Sequence, residues 1–233
     1  MKTLPQSELL AGERSVESAA RSKSEETTRR IEQAAARLFA ARGFAATSIR
    51  DIATAAGVTQ PTLYYHFGSK EGLAKHILLG PIQRLHDELA GILRRHDLDP
   101  AERIERMIAL YLELGREDAV RTRFLCGVFF GPEECPIARE LARMADELDD
   151  LIRQAVMRLA QEGWIDPRGV ERFVLELRGV LTITLLDLVY RAAEPPKAVE
   201  RLAIDLASDL IRAHRSLDAA NPLSETSASV QIT

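Results

Sequence analysis

Apolar positions recur at helical spacing along almost the whole chain, and no segment alternates with the period of a strand. Ile31, Ala34, Ala35, Leu38 and Phe39 form the first clear stripe, on a helix predicted over about 24–42 and stopped by Gly43. A second, short helix starts at Thr47 or Ser48, where Ser48 and Asp51 have the spacing of a capping box. It turns Ile49, Ile52 and Ala53 inward and ends near Ala56. Gly57-Val58-Thr59 follows as a three-residue turn, with glycine where a positive φ is easiest. Thr59 can cap a third helix, Pro61 fits its first turn, and Leu63 and Phe67, four apart, must share its core side. After Gly68-Ser69 a fourth helix runs over about 70–95, with Pro81 expected to kink it. Further helices are predicted over about 100–117, 119–130, 136–162, 167–193 and 195–215, separated by Gly131-Pro132, Gly163, Asp166-Pro167 and Pro195-Pro196. The fold class is therefore all-α, about nine helices in two domains. A three-helix helix-turn-helix domain spans 22–70 and a larger helical domain spans 71–217. Residues 1–21 and 218–233 lack a sustained apolar period and read as disordered tails.

Composition narrows the function classes. The chain has 233 residues, 46% hydrophobic and 28% charged, the profile of a soluble globular protein with enough apolar mass for a real core. Its two cysteines, Cys126 and Cys135, have no ligand-spaced partner, so neither a metal site nor a cofactor is expected. A lowered thiol pKa has little support beyond Arg123 near Cys126, so a redox pair is not expected either. The start of the chain has no apolar signal region. The longest apolar run, 179–190, is too short to cross a membrane and is broken by Asp187. A cytoplasmic protein without a membrane partner is expected. Net charge is −4, yet residues 21–76 hold nine basic and five acidic side chains, leaving that segment at +4 and the remainder at −8. A basic module on an acidic body suits a reader of nucleic acid that has a separate second function.

The chemistry agrees with that division. In a helix-turn-helix the first two helices supply a small core and the third is presented with one face free, ready for the major groove. Here that face carries Gln60, Pro61, Thr62, Tyr64 and Tyr65. Glutamine pairs with adenine, a proline ring or threonine methyl touches a thymine methyl, and tyrosine hydroxyls reach phosphates. Two adjacent exposed tyrosines on a short helix also favour a partner surface. Lys70 places a cation at a helix start, against the helix dipole, a cost that a nearby phosphate would offset. Arg29 and Arg30 read as a solvated face.

The segments 47–53 (TSIRDIA), 56–67 (AGVTQPTLYYHF) and 69–73 (SKEGL) resemble the TetR family of bacterial regulators, with the likeness extending over about 24–77. The resemblance implies an all-α homodimer that binds a palindromic operator in double-stranded DNA, usually as a repressor released by a small molecule. It implies that Thr59, Gln60, Pro61, Thr62, Tyr64, Tyr65 and His66 line the DNA, that Thr47 and Arg50 stand beside them, and that Lys70 meets a phosphate. The larger domain would then serve ligand binding and dimerisation.

In that domain Met107, Tyr111, Phe124, Cys126 and Phe129 gather on two successive helices. They form either ordinary core or an apolar pocket for a lipophilic or aromatic effector, with Tyr111 or Thr184 as a polar handle. The last two helices carry apolar residues on more than one face, as a dimer through them would require. A helical enzyme is the rival from another class. No nucleophile with a base, Gly-rich phosphate loop or metal cluster supports it, and no catalytic residue is assigned. A second rival is control by a partner protein without any small ligand.

Overall fold

A computed structural model of the chain describes residues 6–131, 135–191 and 196–215, with side chains from residue 21 onward except that of Pro196. These residues form nine α-helices and one 3-10 turn, with no strand among them. The helices are α1 Gln6–Arg42, α2 Ile49–Ala56, α3 Gln60–Phe67, α4 Lys70–Leu93, α5 Pro100–Glu117, α6 Ala119–Phe129, α7 Ala138–Gln161, α8 Val170–Tyr190 and α9 Pro196–Arg215. The 3-10 turn is Pro167–Gly169.

The all-α expectation holds, and most helix ends fall within two residues of their predicted places. The exceptions are informative. The first helix begins at Gln6 rather than near Ser24, so most of the stretch read as an N-terminal tail continues α1. Extending an existing helix costs far less than nucleating one, so residues without an apolar stripe can join it. The segment after Asp166 opens as a 3-10 turn, its side chain accepting from the Arg168 amide, before α8 begins. Of the tail read over 218–233, nothing lies within the described residues.

The chain divides into two compact units. The first runs through Gly80 and also includes Phe124–Ala138. The second comprises Pro81–Arg123 and the residues from Arg139 on. The division thus falls inside α4, at Pro81, whose missing N–H removes one bond of the helical ladder. It also gives the first unit a segment from the middle of the chain, because Phe124 is buried against Phe39, ring centroids 4.8 Å apart.

Within the first unit, Ile31, Ala35 and Phe39 of α1, Ile52 and Ala53 of α2, Leu63 of α3, and Leu73 and Ile77 of α4 are buried. Periodicity alone pointed to most of these. The short helices are fixed at their ends by local chemistry. Ser48 and Asp51 form both halves of a capping box at the start of α2. Gly57 ends that helix at φ 63°, ψ 40°, a left-handed conformation that other residues enter at a cost. Thr59 accepts from the Thr62 amide at the start of α3.

The second unit has its own core, contributed by α4, α5, α7, α8 and α9, with Leu112, Val156, Leu159, Phe173 and Ala203 almost wholly buried. Helices α5 and α8 approach closely enough at Gly115 that a β-carbon there would stand 2.3 Å from Leu185 Cδ1. Arg158 and Arg103 hold the C-terminal end of α4. Arg158 donates to the Leu93 carbonyl at 2.6 Å, and Arg103 to those of Arg95 and Leu98 at 2.9 Å each.

Candidate nucleic-acid interface

The free face of α3 is built by what holds its other side. Leu63 is fully buried, and Phe67 packs edge-on against the His76 ring of α4. One turn is anchored, so the opposite side must face solvent. Tyr65 is 85% exposed and Tyr64 48%, while Gln60 and Pro61 are exposed at the helix start. Large aromatic surface left in water on a capped, anchored helix marks a contact surface. Thr59 and Thr62 share a hydroxyl hydrogen bond of 2.8 Å, which ties the first turn of α3 to its cap. Arg50, at the start of α2, is also exposed.

Other expected contact residues have their polar groups engaged within the protein. Thr47 is only 1% exposed, and its hydroxyl donates to the carbonyl of Gly43 at 2.8 Å. Its side chain supports the turn before α2 rather than the solvent face. His66 is half-buried, with Nδ1 3.2 Å from the Thr28 hydroxyl of α1. Lys70 points its ammonium back to the carbonyls of Phe44 (3.0 Å) and Thr47 (2.9 Å), with the Phe44 ring centroid 4.3 Å away. The cation at the helix start thus has internal acceptors, which answers the dipole cost without a phosphate.

Arg30 is a residue that the sequence reading placed on a solvated face. Its guanidinium donates to Ala56 O through Nε (3.1 Å) and Nη2 (2.6 Å), and to Gly57 O through Nη2 (2.9 Å). The available signal was its position four residues before the buried Ala34, at the margin of the core stripe.

Comparison with known proteins agrees with this geometry. Residues 31–77 match the profile of bacterial regulatory proteins of the tetR family. The reading module, residues 31–77, thus carries the signature of the tetR family of bacterial regulatory proteins. It is 28% identical over 211 residues to the HTH-type transcriptional regulator YerO of Bacillus subtilis (strain 168), covering 85% of this chain and 68% of YerO. It is 40% identical over 79 residues to the HTH-type transcriptional repressor KstR2 of Rhodococcus jostii (strain RHA1), covering 34% of this chain and 38% of that protein. Its fold is similar to the crystal structure of the TetR-family regulator PfmR from Thermus thermophilus. The TM-score is 0.64 at 24% identity, over 78% of this chain and 97% of PfmR.

The effector residues expected in the larger domain need correcting. Met107 and Tyr111 line a small apolar cavity inside the second unit, with Leu89, Ile108, Ile152 and Leu181 among its other walls. Phe124, Cys126 and Phe129 do not line it, because they belong to the first unit. There Phe124 stacks on Phe39, Cys126 is buried, and Phe129 is half exposed against Phe130. The sequence grouped these side chains on two successive helices, but the structure sends Met107 to one core and Phe124 and Cys126 to the other. The cavity has room for about one water, ≈ 20 Å³. Among the described residues there is no cluster of potential metal ligands, and no helix is long and apolar enough to cross a membrane.

Proposed function

We propose that this protein is a TetR-family repressor that binds a palindromic operator as a homodimer and leaves it when a mostly apolar small molecule enters the second unit. The observation that carries the DNA-binding reading is the face of α3, where Tyr64 and Tyr65 stand out on a helix fixed at its N-cap and along its inner side. On this reading the exposed Gln60 and Pro61 meet base edges, and the tyrosine hydroxyls and Arg50 meet phosphates. The repressor reading is supported by the KstR2 relative's description.

The homodimer reading rests on the second unit. Leu175 (68% exposed) and Ile183 (61%) lie two turns apart on α8, and Leu202 and Leu206 one turn apart on α9. A helix pair of this kind is completed by a second copy across a two-fold axis, giving a four-helix seam. Such symmetry requires a palindromic site with half-sites about 34–36 Å apart.

The effector reading rests on the cavity. Its walls are apolar apart from Tyr111, so a lipophilic or aromatic molecule fits and a charged one does not. At ≈ 20 Å³ the space is far smaller than such a molecule, and an effector must part the helices to enter. Such a molecule releases DNA by favouring a state that binds the operator less well, with a coupling of typically about 1–3 kcal/mol. The proposed role is binding, with no catalytic step.

The test is selection of duplexes from a random pool by the full chain, followed by titration of the selected duplex with and without lipophilic compounds. A preferred, palindromic sequence supports the reading; absence of any preferred duplex refutes it. Ala155→Leu, which fills the cavity wall, should raise the effector concentration needed for release. An unchanged response in a folded variant would place the effector elsewhere.

A further inference from the structure

Helix α2 is the support on which α3 rests, and both of its ends are held by a cation from another helix. At the leading end Lys70, the first residue of α4, donates to the carbonyl of Thr47, immediately before the Ser48 cap, and to that of Phe44. At the trailing end Arg30 of α1 donates to the carbonyls of Ala56 and Gly57. The last carbonyls of a helix have no partner inside it, and a cation there also suits the negative end of the helix dipole. The trailing contact is tight on both sides. Gly57 is left-handed, and any β-carbon on it would stand 3.2 Å from Arg30 Nη2.

We propose that Arg30 is a positioning residue for sequence reading, which sets the pose of α2 and hence of the α3 face, and does not act as a phosphate ligand. This rests on the DNA-binding reading above. Three consequences separate it from the alternatives. A phosphate ligand binds selected and scrambled DNA alike, and its loss lowers the slope of log affinity against log salt by about 0.9. A residue that only stabilises the fold changes the folded fraction, while the folded protein still discriminates as before. A positioning residue leaves the salt slope alone and degrades discrimination, because base contacts depend on register while phosphate attraction does not.

The experiment uses the full chain and the variant Arg30→Met, which retains the apolar stem and removes the charge. Affinity is measured across a salt series for a wild-type-selected duplex and a scrambled duplex of equal length. The expected result is at least a tenfold fall in the selected-to-scrambled ratio with an unchanged salt slope. A slope lowered by about 0.9 with the ratio intact would overturn the proposal, as would a ratio equal to wild type for a fully folded variant. Amide hydrogen exchange of Arg30→Lys, a milder change that cannot reproduce the fork, provides an arm independent of DNA. The amides of Gly57 and Val58, bonded to Thr54 O and Ala53 O, should exchange faster than in wild type. Unchanged exchange there would overturn the bracing role. If no duplex is selected at all, the DNA reading fails while the exchange arm still decides whether the turn is braced.

Discussion

Arg30 and Gly57 meet across the turn of the reading module, Nη2 of the arginine donating to the glycine carbonyl at 2.9 Å. Gly43 is also left-handed, at φ 81°, but a β-carbon there would have no neighbour within 4 Å. Gly43→Ala should therefore show backbone strain alone, about 1–2 kcal/mol. Gly57→Ala should lose that and the undisturbed guanidinium contact as well. Urea unfolding should rank Gly57→Ala as the more destabilised, and the difference should shrink in an Arg30→Ala background. Equal losses in both backgrounds would show that the contact does not couple the two residues.

Tyr65 is the most exposed aromatic side chain among the described residues and lies on the face opposite Leu63. Tyr65→Ala should weaken binding to a selected duplex by about 1–3 kcal/mol. As a surface change it should alter stability by no more than about 0.5 kcal/mol. Fluorescence anisotropy and thermal unfolding of the same sample provide the two measurements. Undiminished affinity would remove Tyr65 from the interface.

Ile183 and Leu206 are exposed apolar residues of α8 and α9. A charge at a buried dimer seam is left without a partner, so Ile183→Glu should dissociate the proposed dimer. Light scattering should move from twice the chain mass of 25.9 kDa to a single chain. A wild type that is already monomeric at micromolar concentration would reject the dimer.

Asp51 has its carboxyl held below the usual carboxylate range, first by the side-chain hydrogen bond with Ser48, then by the Ser48 amide, with Arg42 and Arg50 adding a smaller effect. A carboxylate lowered in the folded state contributes stability that is present above its unfolded value, near 3.8, and is lost as pH falls through the folded value. The stability gap between wild type and Asp51→Ala should therefore be full at neutral pH and narrow below about pH 3.8. A gap that is constant down to pH 2 would exclude the capping carboxylate as its source.

Cys126 is buried, and that burial pushes its thiol upward from the ordinary range. Thiolate is the reactive form, so an aromatic disulfide reagent at pH 8 should label the half-buried Cys135 and leave Cys126 until denaturant is added. Rapid labelling of two thiols in the native protein would contradict the packing of α6.

The helical periodicity made Ile31, Phe39, Ile52 and Leu63 legible as core before any fold was in view, and all four are buried. The Ser48–Asp51 box and the glycine turn were equally visible, because a cap is an interaction between residues three apart. The exposed face of α3 followed from these, since once Leu63 turns inward Tyr64 and Tyr65 cannot. The charged groups were less legible. Lys70 reads only as a cation at a helix start until Phe44 O and Thr47 O are seen beside it, 26 and 23 residues away in sequence.

What the sequence by itself determined is local: the helices, their caps, the turn between α2 and α3, and the side of each helix that faces inward. These depend on contacts within about four residues, where spacing and residue type are sufficient physical causes. What only the tertiary structure decided is which distant groups meet. It directed Arg30 to the end of α2, drew Phe124 away from Met107 and Tyr111 to stack on Phe39, and left room for about one water in the cavity that those two residues line. Such pairings follow from how whole helices pack, and residues 26 or 85 positions apart carry no local pattern that announces them.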